Sequence, residues 1–311
     1  MSVCECDSFF SERASAQKIN PLHYIIDCFI RLETMRNAHL LIIAANAWGV
    51  SAFTTPAAFH TTGTGTSSSR LFNNVMEGTY TTLFDQVNVA LGLQQTDFTA
   101  TYLNGGTSWT CPMTGSKGTA EWYSESSPQF LTGVSKCSQV DVGGAEFSIN
   151  VWMGPSYDVP NMLLKFGATA DGSNCFVIAD YVPRGATPLG SDASYSEAYY
   201  GGEVANAWNS AASIPGVTSL PPDMSMEFRT LYSPARIAFA GLTQADATNI
   251  ATSHVQRFLS WVQSAPQVPA RSRGSFNLRD DKLRQFYFRG EVQKNCGTFG
   301  PDLGMSVAAV S

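Results

Sequence analysis

The sequence predicts an α+β fold in which helices flank one central antiparallel sheet. Two observations predict it. Between residues 99 and 182, short β-like runs are broken by Gly, Pro, Asn and Ser; on either side lie stretches with apolar residues spaced by three and four. Composition agrees: of 311 residues only 14% are charged and 44% are hydrophobic, with Gly, Ser and Thr abundant. That balance suits a loop-rich globular protein with a packed core rather than a coiled coil or a disordered chain.

The first helix is expected over 71–91, where Leu71, Phe72, Val75, Met76, Tyr80, Leu83, Phe84 and Val87 form one face. Strands are expected at Ala120–Tyr123, Gln129–Val134, Glu146–Trp152, Met162–Phe166 and Cys175–Val182, with turns at Gly143-Gly144 and Asp171-Gly172. Residues 192–211 read as a helix, and a Pro-rich connection from Pro215 to Pro222 leads to a β pair across Met226–Ala240. Thr243 is the expected N-cap of a helix over 243–263, with Ile250, Val255, Phe258, Leu259 and Val262 on one face. A Pro/Ser/Arg loop, 265–275, precedes a last helix from about Leu278.

The front of the chain reads as an address. Met35 to Phe53 carries a cation near a methionine, an apolar run, and small residues at Val50-Ser51-Ala52 before Phe53. The run is too short and, with Asn46, too polar for a bilayer span. A Ser/Thr-rich, acid-free tract then extends to Arg70. The pattern resembles the bipartite plastid presequence of algae with secondary, red-lineage plastids. It implies a signal peptide at 35–52, a transit tract at 53–70, a plastid stromal location, and residues 1–34 as an upstream extension before the true start at Met35. A buried apolar helix is the alternative. The domain proper is then 71–311.

The sequence disfavours several chemistries. A net charge of −6 offers no general basic excess for nucleic acid. The seven cysteines include no C-x-x-C, and only His60 and His254 lie beyond the proposed cut, so His-centred triads and His- or Cys-rich metal sites lack support; no metal is expected. No G-x-G-x-x-G follows a strand. Acid–base work would fall to carboxylates, tyrosines or lysines.

Several short segments, in order, resemble the red chlorophyll catabolite reductases. They are Ser126-Ser127-Pro128; Asp158-Val159-Pro160-Asn161-Met162-Leu163-Leu164; Phe176 through Arg184; Tyr195 with Glu197-Ala198-Tyr199-Tyr200; Leu231-Tyr232-Ser233-Pro234; and Arg279-Asp280-Asp281-Lys282 through Phe299-Gly300. Tyr157-Asp158-Val159-Pro160 also resembles the wider ferredoxin-dependent bilin reductases. The resemblance covers roughly 120–305. It implies an α/β/α sandwich holding a linear tetrapyrrole between the sheet and the C-terminal helices, with single electrons from reduced ferredoxin and no bound cofactor. It also implies a homodimer. The reaction implied is reduction of red chlorophyll catabolite to its fluorescent product. The alternatives are a bilin reductase acting on biliverdin or a phycobilin precursor, and a non-catalytic tetrapyrrole binder.

Such a reduction needs positioned proton donors. The family places a carboxylate on the strand after the Pro-Asn pair, where this chain has Lys165, which could donate a proton or bind a propionate, or could simply face solvent. Glu291 falls near the family's second acid and is the foremost candidate proton donor; the alternative is a helix-surface ion pair with Arg289. Asp158 is the acid if the wider bilin-reductase register applies, and turn chemistry otherwise. Asp180 reads as a strand-end cap. Arg184, Arg236 and Arg289 are candidates for the pigment's carboxylates. Trp152, Tyr157 and Phe288 are candidates for stacking on pyrrole rings, or else core aromatics. Residues 266–311 hold seven cations against four acids in a chain otherwise acidic, a candidate docking face for an acidic ferredoxin.

Overall fold

The computed structural model describes residues 68–96, 103, 106–125, 131–184, 193–221 and 233–310. All of the described residues fall within one compact unit, Thr62–Ser311. The proposed signal peptide and nearly all of the transit tract lie outside the described residues, as do Ser126-Ser127-Pro128 and Leu231-Tyr232. No described helix is long and apolar enough to cross a membrane.

In chain order the elements are α1 (Ser68–Leu91), β1 (Leu93–Gln95), β2 (Ser108–Thr110), β3 (Lys117–Glu125), β4 (Leu131–Asp141), β5 (Gly144–Met153), β6 (Asn161–Thr169) and β7 (Cys175–Val182). They continue with α2 (Ala193–Tyr200), α3 (Glu203–Ala212), β8 (Thr218–Ser219), β9 (Ile237–Leu242), α4 (Gln244–Gln263), α5 (Arg273–Phe299) and α6 (Pro301–Val310). The strands form one sheet in the order β1-β3-β4-β5-β6-β7-β9-β8, with β2 added beside β3. Every pairing is antiparallel. The expected α+β sandwich is therefore the observed one.

Strand alternation divides the sheet between two helical layers. Ala145, Phe147, Ile149 and Val151 of β5, with Met162, Leu164 and Phe166 of β6, enter the main core. There they meet Met76, Tyr80, Leu83 and Val87 of α1 and Ala251, Val255 and Phe258 of α4. The opposite face carries Trp152, Leu163 and Val182, packed against Leu283 and Tyr287 of α5. Gly133 on β4 belongs to this second face, where the Trp122 ring lies across it: a Cβ there would come within 2.3 Å of the indole.

Departures from the sequence reading are local. The single helix expected over 192–211 is two, α2 and α3, because Gly201-Gly202 interrupts it and Gly202 adopts φ 50°. The last helix begins at Arg273, earlier than Leu278, and α6 follows a break at Gly300. Strands β1, β2 and β8 are two or three residues long, too short to show a period. Thr243 does cap α4: its hydroxyl accepts from the Asp246 N–H at 3.1 Å. Thr243→Ala is expected to cost about 1 kcal/mol in urea unfolding; a change below about 0.3 kcal/mol would discount the cap.

Candidate functional site

Helix α5 crosses the second face of the sheet and buries Phe276, Asp280, Leu283, Tyr287, Glu291, Asn295 and Phe299. Steps of three and four place these residues on one stripe. The stripe is unusual in burying Asp280, Glu291 and Asn295 among its apolar residues, and each of these polar groups needs a partner.

At its centre lies a chain of alternating charges. Lys165 on β6 reaches Glu291 Oε1 at 3.5 Å and Glu146 Oε1, on the neighbouring β5, at 3.4 Å. Lys294, one turn along α5 from Glu291, reaches Glu146 Oε1 at 2.9 Å. Exposure falls along this chain, from 34% at the Lys294 side chain to 5% at Glu291. Burial by itself would raise the Glu146 carboxyl, but the ammoniums of Lys165 and Lys294 outweigh it and hold Glu146 down to about 2.

Beside the charges sits a neutral network. Asn150 Nδ2 donates to the Tyr287 hydroxyl at 3.0 Å and to Ser135 Oγ at 3.2 Å. Burial, reinforced by the nearby Glu291 charge, pushes the Tyr287 hydroxyl well above its ordinary value, so it stays a protonated donor. The Trp152 ring meets Tyr287 edge-on at 5.2 Å. The arrangement thus brings together Lys165, Glu291 and Trp152 from the expected set. To them it adds Glu146, Asn150, Tyr287 and Lys294.

A partial signal for these additions exists in the chain. Along β5, polar Glu146, Ser148 and Asn150 alternate with apolar Phe147, Ile149 and Val151, marking a polar inner face. Lys294 gives no comparable sign.

The other expected residues lie elsewhere. Arg184 is fully buried, and its guanidinium is already occupied. Nε donates to Asp280 at 3.0 Å, Nη1 to the Tyr157 carbonyl at 2.8 Å, and Nη2 to the Gly154 carbonyl at 2.8 Å and to Asp280. In place of gripping a ligand carboxylate, it clamps the β5–β6 connection to α5. Asp158, half-buried, sits in that connection: its N–H donates to the Pro266 carbonyl, and its own carbonyl accepts from the Tyr199 hydroxyl at 2.6 Å. Tyr157 bridges to Gln267. Arg289 is exposed and Phe288 half-buried, since both fall outside the α5 stripe; the Arg289 guanidinium lies 5.9 Å from the Phe286 ring.

Arg236, just before β9, is near Asp180, on the same face of β7 as Val182. Burial raises the Asp180 carboxyl to about 6, although the Ser233 hydroxyl at 2.5 Å and the Arg236 charge pull the other way.

On the opposite face, burial and then the Arg257 charge lower His254 to about 3. A histidine held neutral in the fold contributes stability above its unfolded value near 6.5 that is lost progressively as pH falls from there toward 3. His254→Phe is expected to flatten this acid-side loss, read from urea midpoints at pH 7 and pH 4.5; an unchanged difference between the two would refute it.

Among the described residues no group of three or more His, Cys, Asp or Glu is placed to hold a metal ion. No family model and no curated protein matches the sequence. Among solved structures, the chain resembles phytochromobilin synthase from tomato, crystallised in complex with biliverdin, with a TM-score of 0.57. Identity is 12% over 76% of this chain and 80% of that one. The chain shares the fold of that protein.

Proposed function

We propose that this chain reduces a linear tetrapyrrole bound between the sheet and α5, taking electrons one at a time from reduced ferredoxin. The observation that carries the reading is the contact of Lys165 with Glu291, on a fold shared with a protein crystallised with biliverdin. Adding two electrons to a conjugated pigment consumes two protons, which must reach chosen carbons. Glu291 delivers the proton in this scheme: the Lys165 ammonium gives its proton to the Glu291 carboxylate, which passes one to the reduced pigment. Glu146 and Lys294 connect the pair to the more exposed end. Trp152 and Tyr287 shape the wall.

The preferred substrate is red chlorophyll catabolite, because the ordered segments from Asp158 to Gly300 resemble its reductases. Biliverdin is the second reading, favoured by the ligand of the tomato structure. A non-catalytic pigment binder is the third, favoured by an ammonium at the position where an acid is expected. We further propose a plastid stromal location and a docking face for ferredoxin around Arg271, Lys282 and Arg289, which are exposed.

Anaerobic incubation of the protein with reduced ferredoxin and each pigment in turn tests these readings. A new absorbance or fluorescence band with one pigment identifies the reductase and its substrate. Tight binding without a new band supports the binder, and neither binding nor turnover with any pigment overturns the proposal.

A further inference from the structure

On the face of the sheet away from α5, helices α3 and α4 and strand β9 enclose an open cavity of about 520 Å³. That size lies within the range of about 300–1,000 Å³ usual for small-molecule sites. Ile214, Ile237 and Ile250 supply apolar wall. Two of its lining residues, Arg257 and His254, each carry a buried side-chain nitrogen without a hydrogen-bond partner, Nε and Nε2 respectively.

Arg257 is held in place but not saturated. Its Nη1 donates to the Tyr181 hydroxyl at 3.3 Å, and that hydroxyl donates to the His254 carbonyl at 2.8 Å. Its ionic neighbour is Glu203, at 3.8 Å from Nε, a distance too long for a hydrogen bond. The Glu203 side chain is 89% exposed, so this contact is weak and easily displaced. The second rim acid, Asp246, is turned to its own helix start, where it accepts from the Thr243 hydroxyl at 2.5 Å. His254 stacks on Tyr181 with centroids 4.0 Å apart and carries no charge at neutral pH, so among the described residues Arg257 is the one cation lining the cavity.

A buried guanidinium N–H without an acceptor is costly, and a ligand oxygen would relieve it. We propose that this cavity is a second ligand site, taking a small amphipathic carboxylate. Its head would pair with Arg257 and its chain would lie against Ile214, Ile237 and Ile250. The site is separated from Lys165 and Glu291 by the sheet and does not depend on the reductase reading.

Calorimetric titration of the full chain with decanoate, decanol and decyltrimethylammonium tests it. Decanoate is expected to bind at one site, with decanol and the cation weaker. Losing a charged hydrogen bond, as in Arg257→Met, should weaken decanoate by about tenfold to a hundredfold. Ser210→Trp and Ser253→Trp, at exposed rim positions, should block it while leaving the circular dichroism spectrum unchanged. These two keep the test valid if Arg257→Met does not fold. Failure of the wild-type chain to bind decanoate, equal binding by both Trp variants, or preference for the cation would each overturn the proposal.

Discussion

Asp280→Ala is expected to destabilise the protein by about 3–5 kcal/mol, the usual cost of leaving one partner of a buried ion pair alone. Arg184 is 0% exposed, and its carboxylate partner is Asp280, 96 residues away in sequence. Three backbone carbonyls, of Gly154, Tyr157 and Val159, accept its remaining N–H groups. They satisfy hydrogen bonding but do not neutralise the charge. The double variant Arg184→Met/Asp280→Leu should recover much of the loss, because removing both charges removes the desolvation cost as well. Urea unfolding of the three variants measures this. A loss below about 1 kcal/mol for Asp280→Ala would show that the clamp is not a main support of the fold.

The second large effect concerns the charge chain. Lys165→Met leaves Glu291, 5% exposed, without its cation, and should also cost about 3–5 kcal/mol. Lys165→Met/Glu291→Met should cost less than the sum of the single changes, with a coupling of about 0.5–3 kcal/mol in a double-mutant cycle. Additive losses would show that the 3.5 Å contact carries no energy. Glu291→Gln preserves shape and tests the chemistry separately. If Glu291 donates the proton, reduction of the pigment should slow by about 10²–10⁴-fold while pigment affinity is retained. Undiminished turnover would remove Glu291 from the scheme.

The sequence reveals the sheet better than it reveals the site. Cys175–Val182 emerges with its observed ends because β-branched and aromatic residues fill it and turn residues bound it. The two-residue period of β5 likewise marks which face is polar. Helix α5 is harder to read, because its buried stripe carries Asp280, Glu291 and Asn295 where a surface helix would bury aliphatics. Its start is therefore displaced in the sequence reading from Arg273 to Leu278. Arg184 shows the limit more sharply. A lone arginine after Val-Pro looks available for a ligand, and only the fold brings Asp280 against it.

The placement of α5 has a mechanical consequence. At about 1.5 Å per residue its 27 residues span roughly 40 Å. One end is pinned by Arg184 to Asp280. The other is pinned by Trp109 against Phe299, 4.8 Å between ring centroids, and by α6, which folds back so tightly that a Cβ on Gly304 would lie 2.4 Å from the Cys296 nitrogen. The helix is thus a beam supported at both ends, with Glu291 within its span. Sliding by one residue would rotate it about 100° and carry Glu291 off the sheet. The spacing between Lys165 and Glu291 is therefore governed from a distance. Damage at either support should detune the pair without touching it.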